Sequence, residues 1–147
     1  SQYALQAMED VRQHKVTKAV EDVTFINMAV TGMLSNTTRS FKQSALAHAV
    51  DYAIRTYFPQ ESKNALHGEA VAVGLFLQLY YNQQAEQIPP LKDFMRKLEM
   101  PLSLDALGVP STDENLQILE DYLIETSRVG EDAASRARLH EALRQLR

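Results

Sequence analysis

The chain of 147 residues contains no cysteine or tryptophan and only five glycines and five prolines. Without cysteine, disulfide bonds, thiolate zinc sites and cysteine nucleophiles are excluded. The longest apolar run, Ala70 to Leu77, has eight residues, whereas a membrane-spanning helix needs roughly 18–20. No basic region followed by an apolar segment opens the sequence, so no signal peptide is predicted. These absences favour a soluble, cytoplasmic protein with no membrane partner.

Positive charge is also scarce. Nineteen acidic and fifteen basic residues give a formal net charge of −4. This balance argues against the broad basic face that non-specific nucleic-acid binding requires, so no nucleic-acid partner is expected. Hydrophobic residues make up 45% and charged residues 23%, which is typical of a globular chain whose length suits one domain.

Apolar residues recur at helical spacing along the chain, and few glycines or prolines interrupt them. We therefore predict an all-α, single multi-helix domain of about seven helices. Pro59 should end one helix near Tyr57, and Ser111 with Glu114 forms a capping-box pattern. The predicted helices and turns cover residues 16–34, 41–57 with Ser40 as N-cap, 67–83, 91–98 after Pro89-Pro90, a turn at 103–107, 111–126 and 135–146.

The helix that begins near His67 is apolar on nearly every side in its first half, which indicates a central, buried helix. Gly68, in its first turn, is expected to let two backbones approach closely. Glu69 there would complement the positive end of the helix dipole. Both roles, for Gly68 and for Glu69, are structural and would exist without a bound ligand.

Four histidines occur. His14 falls in a polar turn between helices, and His140 is expected at the surface or rim of the last helix. His48 shares an apolar stripe with Tyr52, where a histidine is more often a core residue with one hydrogen bond than a ligand. His67 stands at the start of the central helix. Residue spacing alone favours structural roles for His48 and His67 and leaves a shared metal site as the alternative.

Two carboxylates stand near these histidines in the sequence. Asp51 is three residues after His48, on the same helix face, and Glu69 is two residues after His67. Either could complete a site, but solvated or capping roles are favoured for both. Glu69 is also a candidate for orienting the loop that carries His67.

The segments ALAHAV at 45–50 and ALHGEAVAVG at 65–74 resemble the C-terminal helical domain of glycerol dehydrogenases. These enzymes belong to the iron-containing (group III) alcohol dehydrogenase superfamily, which shares its architecture with dehydroquinate synthase. The order, spacing and flanking small residues of the two segments match, and a looser likeness extends over most of the chain. The resemblance implies that residues 1–147 form a C-terminal helical metal-binding domain, with the N-terminal nucleotide-binding domain absent.

In enzymes of this family, the histidines of the two segments bind a divalent metal, so the resemblance makes His48 and His67 metal ligands. The metal would act as a Lewis acid on the oxygen of a small alcohol or polyol while hydride leaves to NAD(P). Imidazole nitrogen suits zinc or iron. No cofactor-binding residue and no catalytic residue beyond the metal ligands is expected in this chain.

The sequence departs from the family pattern in several places. The family's third metal ligand, an aspartate, has no counterpart here, since Glu9 and Asp10 match no such motif and are expected to be solvated. The glycine pair that usually precedes the first histidine is replaced by Lys42-Gln43. Val50-Asp51-Tyr52 stands where the family often has histidine. No glycine-rich phosphate loop occurs. We expect the chain alone to be inactive and its metal to be absent or weakly held, because two histidines leave half of a tetrahedral site to water.

Two other functions remain alternatives. The chain could be a non-catalytic ligand- or partner-binding domain on the same scaffold, or part of a dehydroquinate-synthase-like enzyme. Besides substrate, the expected partners are the missing nucleotide-binding domain and further copies of the chain, because uncovered apolar surface promotes self-association.

Overall fold

The computed structural model describes residues 2–38, 46–127 and 129–147, and within these ranges it contains helices and no strand. They form seven helices when the segments Lys18–Phe25, Ile26–Val30 and Thr31–Thr38 are counted as one continuous helix, α2, whose middle segment is π-helical. The predicted all-α class is thereby confirmed. The other helices are α1 (Gln2–Arg12), α3 (Leu46–Tyr57), α4 (His67–Tyr81), α5 (Ile88–Lys97), α6 (Asp113–Ser127) and α7 (Ala133–Leu143).

The chain groups into two compact units, one formed by residues up to 43 and one by residues from 44 onward. The predicted N-cap Ser40 and the start of the apolar stripe at Phe41 lie outside the described residues. None of the helices in the described ranges is long and apolar enough to cross a membrane.

In the first unit, α1 and α2 pack through small residues, with Ala7 and Ala19 buried. Asp10 was predicted to be solvated, and this is wrong. It is buried because the turn after α1 brings Thr17 over it, and its carboxylate accepts hydrogen bonds from Thr17 Oγ1 at 2.6 Å and Gln6 Nε2 at 2.8 Å. These bonds hold the pKa of Asp10 below its ordinary value of 3.8. His14 is exposed in this turn, as predicted.

Several large apolar side chains of the first unit are exposed, among them Phe25, Met28 and Met33. Regular α-helical spacing across residues 16–34 would place the valines and Met33 near one face. The π-helical segment Ile26–Val30 interrupts that spacing, so side chains before and after it no longer follow one stripe.

The core of the second unit surrounds α4. Ala70, Val73, Phe76 and Leu77 are completely buried, which confirms the prediction of a central, buried helix. The same apolar core contains residues from every other helix of the unit, namely Val50, Ile54, Met95, Leu119, Leu123, Leu139 and Leu143. The buried face of α4, with Val71, Ala72 and Leu75 partly buried beside it, fixes its position within this unit.

One glycine of α4 permits a close crossing with α3. A Cβ atom on Gly74 would lie 2.6 Å from the carbonyl oxygen of Ala47. The sequence-based prediction assigned this role to Gly68, and it is wrong, because Gly68 lies at the exposed start of α4 with nothing within 4 Å of an added Cβ. The backbones meet six residues later, beside Ala47, so the next residue of α3, His48, lies close to α4.

The observed helix ends lie within a few residues of the predicted ends, and local sequence features explain the differences. α3 ends at Tyr57, two residues before Pro59, as predicted. α5 begins at Ile88, so Pro89 and Pro90 lie inside its first turn rather than ahead of it. Proline is tolerated there because the first N–H groups of a helix have no intrahelical acceptor.

The predicted capping box of α6 is misplaced by one residue. Thr112, not Ser111, caps the helix, its Oγ1 accepting from Asn115 N at 3.2 Å. Ser111 instead donates from Oγ to Asp105 at 2.6 Å. α7 begins two residues earlier than predicted because Asp132 caps it, accepting a hydrogen bond from Ser135 N at 2.8 Å.

The Gly74 crossing predicts a large difference between two glycine substitutions. Gly74→Ala should lower the free energy of unfolding by about 1–3 kcal/mol, because its Cβ would press on backbone that cannot turn aside. Gly68→Ala is the matched control and should leave stability unchanged or slightly raised, since its site is open. Urea unfolding of both variants measures this. Equal stability of the two variants would contradict the close crossing.

The cap of α7 predicts a pH dependence. The hydrogen bond from Ser135 N lowers the pKa of Asp132 below 3.8, so its stabilisation is present above that value and is lost as the pH falls through the folded pKa. Asp132→Asn keeps an oxygen that can accept from Ser135 N but cannot titrate. Between pH 6 and pH 3, stability measured by urea unfolding should therefore fall less in the variant than in the wild type. The same fall in both proteins would refute this role.

Candidate functional site

The structure brings together the two histidines that the sequence singled out. His48 projects from the first turn of α3 and His67 is the first residue of α4. Their ring centroids are 5.6 Å apart and the ring planes are inclined by 55°. The two histidines are nineteen positions apart in the sequence. The connection between α3 and α4 reverses the direction of the chain and so brings the two rings next to each other.

Both imidazoles face outward. His48 is exposed, and the side chain of His67 is 61% exposed. The prediction that His48 and Tyr52 share a buried stripe is wrong, since Tyr52 is 57% exposed. α3 instead buries the adjacent face that carries Val50 and Ile54. An exposed pair of imidazoles is accessible to a ligand, which a core histidine would not be.

Asp51 lies beneath this pair. Its side chain is only 4% exposed, and Oδ2 lies 2.8 Å from Nδ1 of His67. The favoured prediction of a solvated or capping role for Asp51 is therefore wrong. The reason is tertiary, because the start of α4 folds back over α3 and covers the carboxylate with its own first side chain.

Arg55, one turn after Asp51, joins the same network. Its Nε donates to Asp51 Oδ1 at 3.3 Å, and its two terminal nitrogens donate to the carbonyl oxygens of Ser62 at 3.1 Å and Ala65 at 2.7 Å. Arg55 therefore compensates the buried negative charge and also holds the backbone that leads into His67. A planar guanidinium with several donors suits this task better than an ammonium group would.

Glu69 acts on the backbone rather than on the imidazole. Its Oε2 accepts a hydrogen bond from Leu66 N at 2.8 Å, which satisfies a donor at the start of α4. It therefore fixes the residue just before His67. The contact with the His67 ring is made by Asp51.

The sequence analysis favoured a solvated or capping role for Asp51 and did not identify Arg55, although the sequence pattern around the two residues indicates a buried ion pair. Asp51 and Arg55 are spaced i,i+4, which suits an ion pair on one helix face. Asp51 also stands between Val50 and Ala53, both of which are buried. A charged residue flanked by core residues and followed by an arginine one turn later indicates a paired, buried carboxylate.

The donor atoms fit a zinc or ferrous ion, which imidazole nitrogen binds well. With Nδ1 of His67 occupied by Asp51, the Nε2 atom is the one available to a metal. Within residues 2–38, 46–127 and 129–147, however, no group of three or more histidine or carboxylate side chains is arranged to hold a metal ion. At this site the described residues thus offer two imidazole groups and no third donor arranged with them.

Two other features of this unit are separate from the histidine pair. A cleft of about 480 Å³ is bounded by the glutamates Glu61, Glu69 and Glu99, and neither His48 nor His67 lines it. His140 is a surface residue, as predicted, at 55% exposed. Its Nδ1 lies 2.9 Å from Oε2 of the buried Glu120.

Comparison with known proteins shows a distant similarity to a curated protein. Over 118 residues, the chain is 31% identical to Glycerol dehydrogenase 1 of Schizosaccharomyces pombe. The match covers 78% of this chain and 25% of the yeast protein, so the chain spans about a quarter of the length of that relative. No protein-family model matches the chain. The similarity supports a glycerol dehydrogenase-like relationship at a distant level.

The Arg55 network predicts that the connection between α3 and α4 loosens when the guanidinium is removed. Arg55→Met should lower stability by about 1–2 kcal/mol, toward the lower end for charged hydrogen bonds because the side chain is partly exposed. It should also speed amide exchange at Ala65, whose N–H bonds to Ser62 O at 3.0 Å.

Lys63→Met is the matched control, because Lys63 is an exposed cation in the same connection. Hydrogen-exchange NMR of the two variants provides the measurement. Unchanged exchange at Ala65 in Arg55→Met would show that the arginine does not hold this segment.

Proposed function

We propose that residues 1–147 are the C-terminal helical metal-binding part of an NAD(P)-dependent, glycerol dehydrogenase-like oxidoreductase, in which His48 and His67 bind zinc or iron. The observation that carries this proposal is the outward-facing pair of imidazoles 5.6 Å apart, one of them bonded through Nδ1 to a buried carboxylate. The distant similarity to a glycerol dehydrogenase supports the class of enzyme, a member of the iron-containing alcohol dehydrogenase superfamily.

Each residue of the site has a separate task. His48 and His67 offer nitrogen lone pairs on an open face, where a small alcohol or polyol can approach. Asp51 and Arg55 hold His67 and its backbone, and Glu69 fixes the turn before it. A bound divalent metal would supply Lewis-acid polarisation of the alcohol oxygen.

Such an enzyme also requires a further metal ligand and a binding site for NAD(P), and these residues provide neither. Tetrahedral zinc has four positions and the two histidines fill two of them, so a further protein ligand would come from another segment. The five glycines occur singly, without the spacing of a dinucleotide phosphate loop, so NAD(P) would bind a separate nucleotide-binding domain. We accordingly expect the chain alone to bind metal weakly and to have no dehydrogenase activity.

A partner-binding role is the second candidate. The exposed apolar side chains Phe25, Ile26 and Met28, close together along α2, favour it, because exposed apolar surface commonly marks an interaction site. The partner would be the nucleotide-binding domain or a further copy of the chain. In a purely scaffolding protein, the histidine pair would have no measurable affinity for metal, which separates the two candidates.

Metal titration of the 147-residue chain tests the proposal. His48→Ala and His67→Ala should each weaken zinc binding at least tenfold, because loss of a ligand should cost no less than loss of a residue that orients one. His140→Ala is the matched control, since His140 is also exposed and also paired with a buried carboxylate, and it should bind zinc as the wild type does.

Calorimetry with zinc and the visible spectrum of a cobalt(II) complex provide the measurements. Zinc affinity that is unchanged in His67→Ala would place the metal elsewhere and overturn the proposal. For a longer protein that contains this chain, reduction of NAD(P)⁺ with glycerol, lost in both histidine variants, is the expected activity.

A further inference from the structure

We infer that Asp51 is a positioning residue that selects the metal-binding tautomer of His67. This inference rests on the proposed metal-binding role of His48 and His67. The carboxylate would hold the imidazole proton on Nδ1, so that Nε2 carries the lone pair that is free to bind a metal.

The hydrogen-bond chemistry assigns the proton. Asp51 Oδ1 accepts from Arg55 Nε at 3.3 Å, and Oδ2 lies 2.8 Å from His67 Nδ1. An ionised carboxylate can only accept hydrogen bonds, so the proton between Oδ2 and Nδ1 belongs to the histidine. Neutral histidine in water favours the proton on Nε2, and the Asp51 contact therefore reverses the ordinary preference.

A proton held on Nδ1 by Asp51 affects binding only when the bound group contacts Nε2 of His67. Metal-bound histidines generally donate their other ring N–H to a carboxylate, a carbonyl or water, which fixes both the tautomer and the orientation of the ring. His67 is 61% exposed, so packing does little to restrain its ring. The contact with the buried Asp51 is what fixes the ring in one orientation beside His48.

The Asp51→Asn variant tests the inference because it nearly preserves the shape of the side chain while it removes the negative charge and reverses the direction of the hydrogen bond to His67. Arg55 can donate but cannot accept, so the amide oxygen of the variant should face Arg55. The amide NH₂ would then face His67 and donate to Nδ1. The imidazole proton should move to Nε2 and block the nitrogen that a metal needs.

Long-range ¹⁵N NMR of the metal-free chain, at about pH 8.5 where an ordinary imidazole is neutral, reads the tautomer directly. His67 should carry its proton on Nδ1 in the wild type and on Nε2 in Asp51→Asn. Zinc affinity, measured by calorimetry, should fall about 10–100-fold in the variant. His140, which bonds to Glu120, should keep its own tautomer in both proteins and serves as the internal reference.

Two further variants separate positioning from mere stabilisation. Glu61→Gln neutralises an exposed carboxylate of the connection between α3 and α4 that has no role in the histidine site, so it should leave both the tautomer and zinc affinity unchanged. Asp51→Glu restores an acceptor-only group and should recover the Nδ1 proton and part of the affinity. It also keeps the test available if the asparagine variant does not fold.

The outcomes distinguish two failures. A proton that stays on Nδ1 in Asp51→Asn, or a changed tautomer with unchanged zinc affinity, would overturn the role of Asp51 while the metal site stands. Zinc binding that does not depend on His67 at all would overturn the metal site, whatever the tautomer, and the inference with it. A shifted proton together with weakened zinc binding supports both.

Discussion

The second unit depends on a buried carboxylate placed where two helices meet. Burying a charged group is costly unless it is paired and hydrogen-bonded, and Asp51 meets both conditions through Arg55 and His67. Arg55 in turn binds the carbonyl oxygens of the connecting segment at Ser62 and Ala65. One ion pair thus links α3, the connection and the start of α4, and it leaves the outer nitrogen of His67 available.

Close backbone packing sets the second constraint. The absence of a side chain on Gly74 lets the backbone of Ala47 approach α4, and the apolar burial of Val73 and Leu77 keeps that helix in place. Because His48 follows Ala47 directly, the same crossing determines how near the first imidazole comes to the second. Helix packing and the geometry of the histidine pair in this unit are therefore consequences of the same contact.

Much of the helical layout could be predicted from sequence because it depends on local chemistry. Apolar periodicity predicted the central helix and Pro59 predicted the end of α3. The resemblance to glycerol dehydrogenases singled out the histidine pair that the structure brings together. The predictions failed where a distant segment decides burial. Asp51 was expected to be solvated but is covered by the start of α4, and Asp10 is covered by Thr17. The glycine at a helix crossing proved to be Gly74 rather than Gly68.

The helical class of the chain, the apolar character of α4 and the choice of His48 and His67 as candidate residues could all be inferred from the amino-acid sequence. These properties follow from composition, periodicity and motif, which depend on neighbouring residues along the chain. The packing of α3 against α4 was needed to establish that the two imidazoles lie side by side, that they face outward, and that Asp51 contacts one of them. Those properties arise because two helices cross at a glycine, and the crossing joins residues that the sequence keeps 16 to 27 positions apart, as for the pairs Asp51–His67 and Ala47–Gly74.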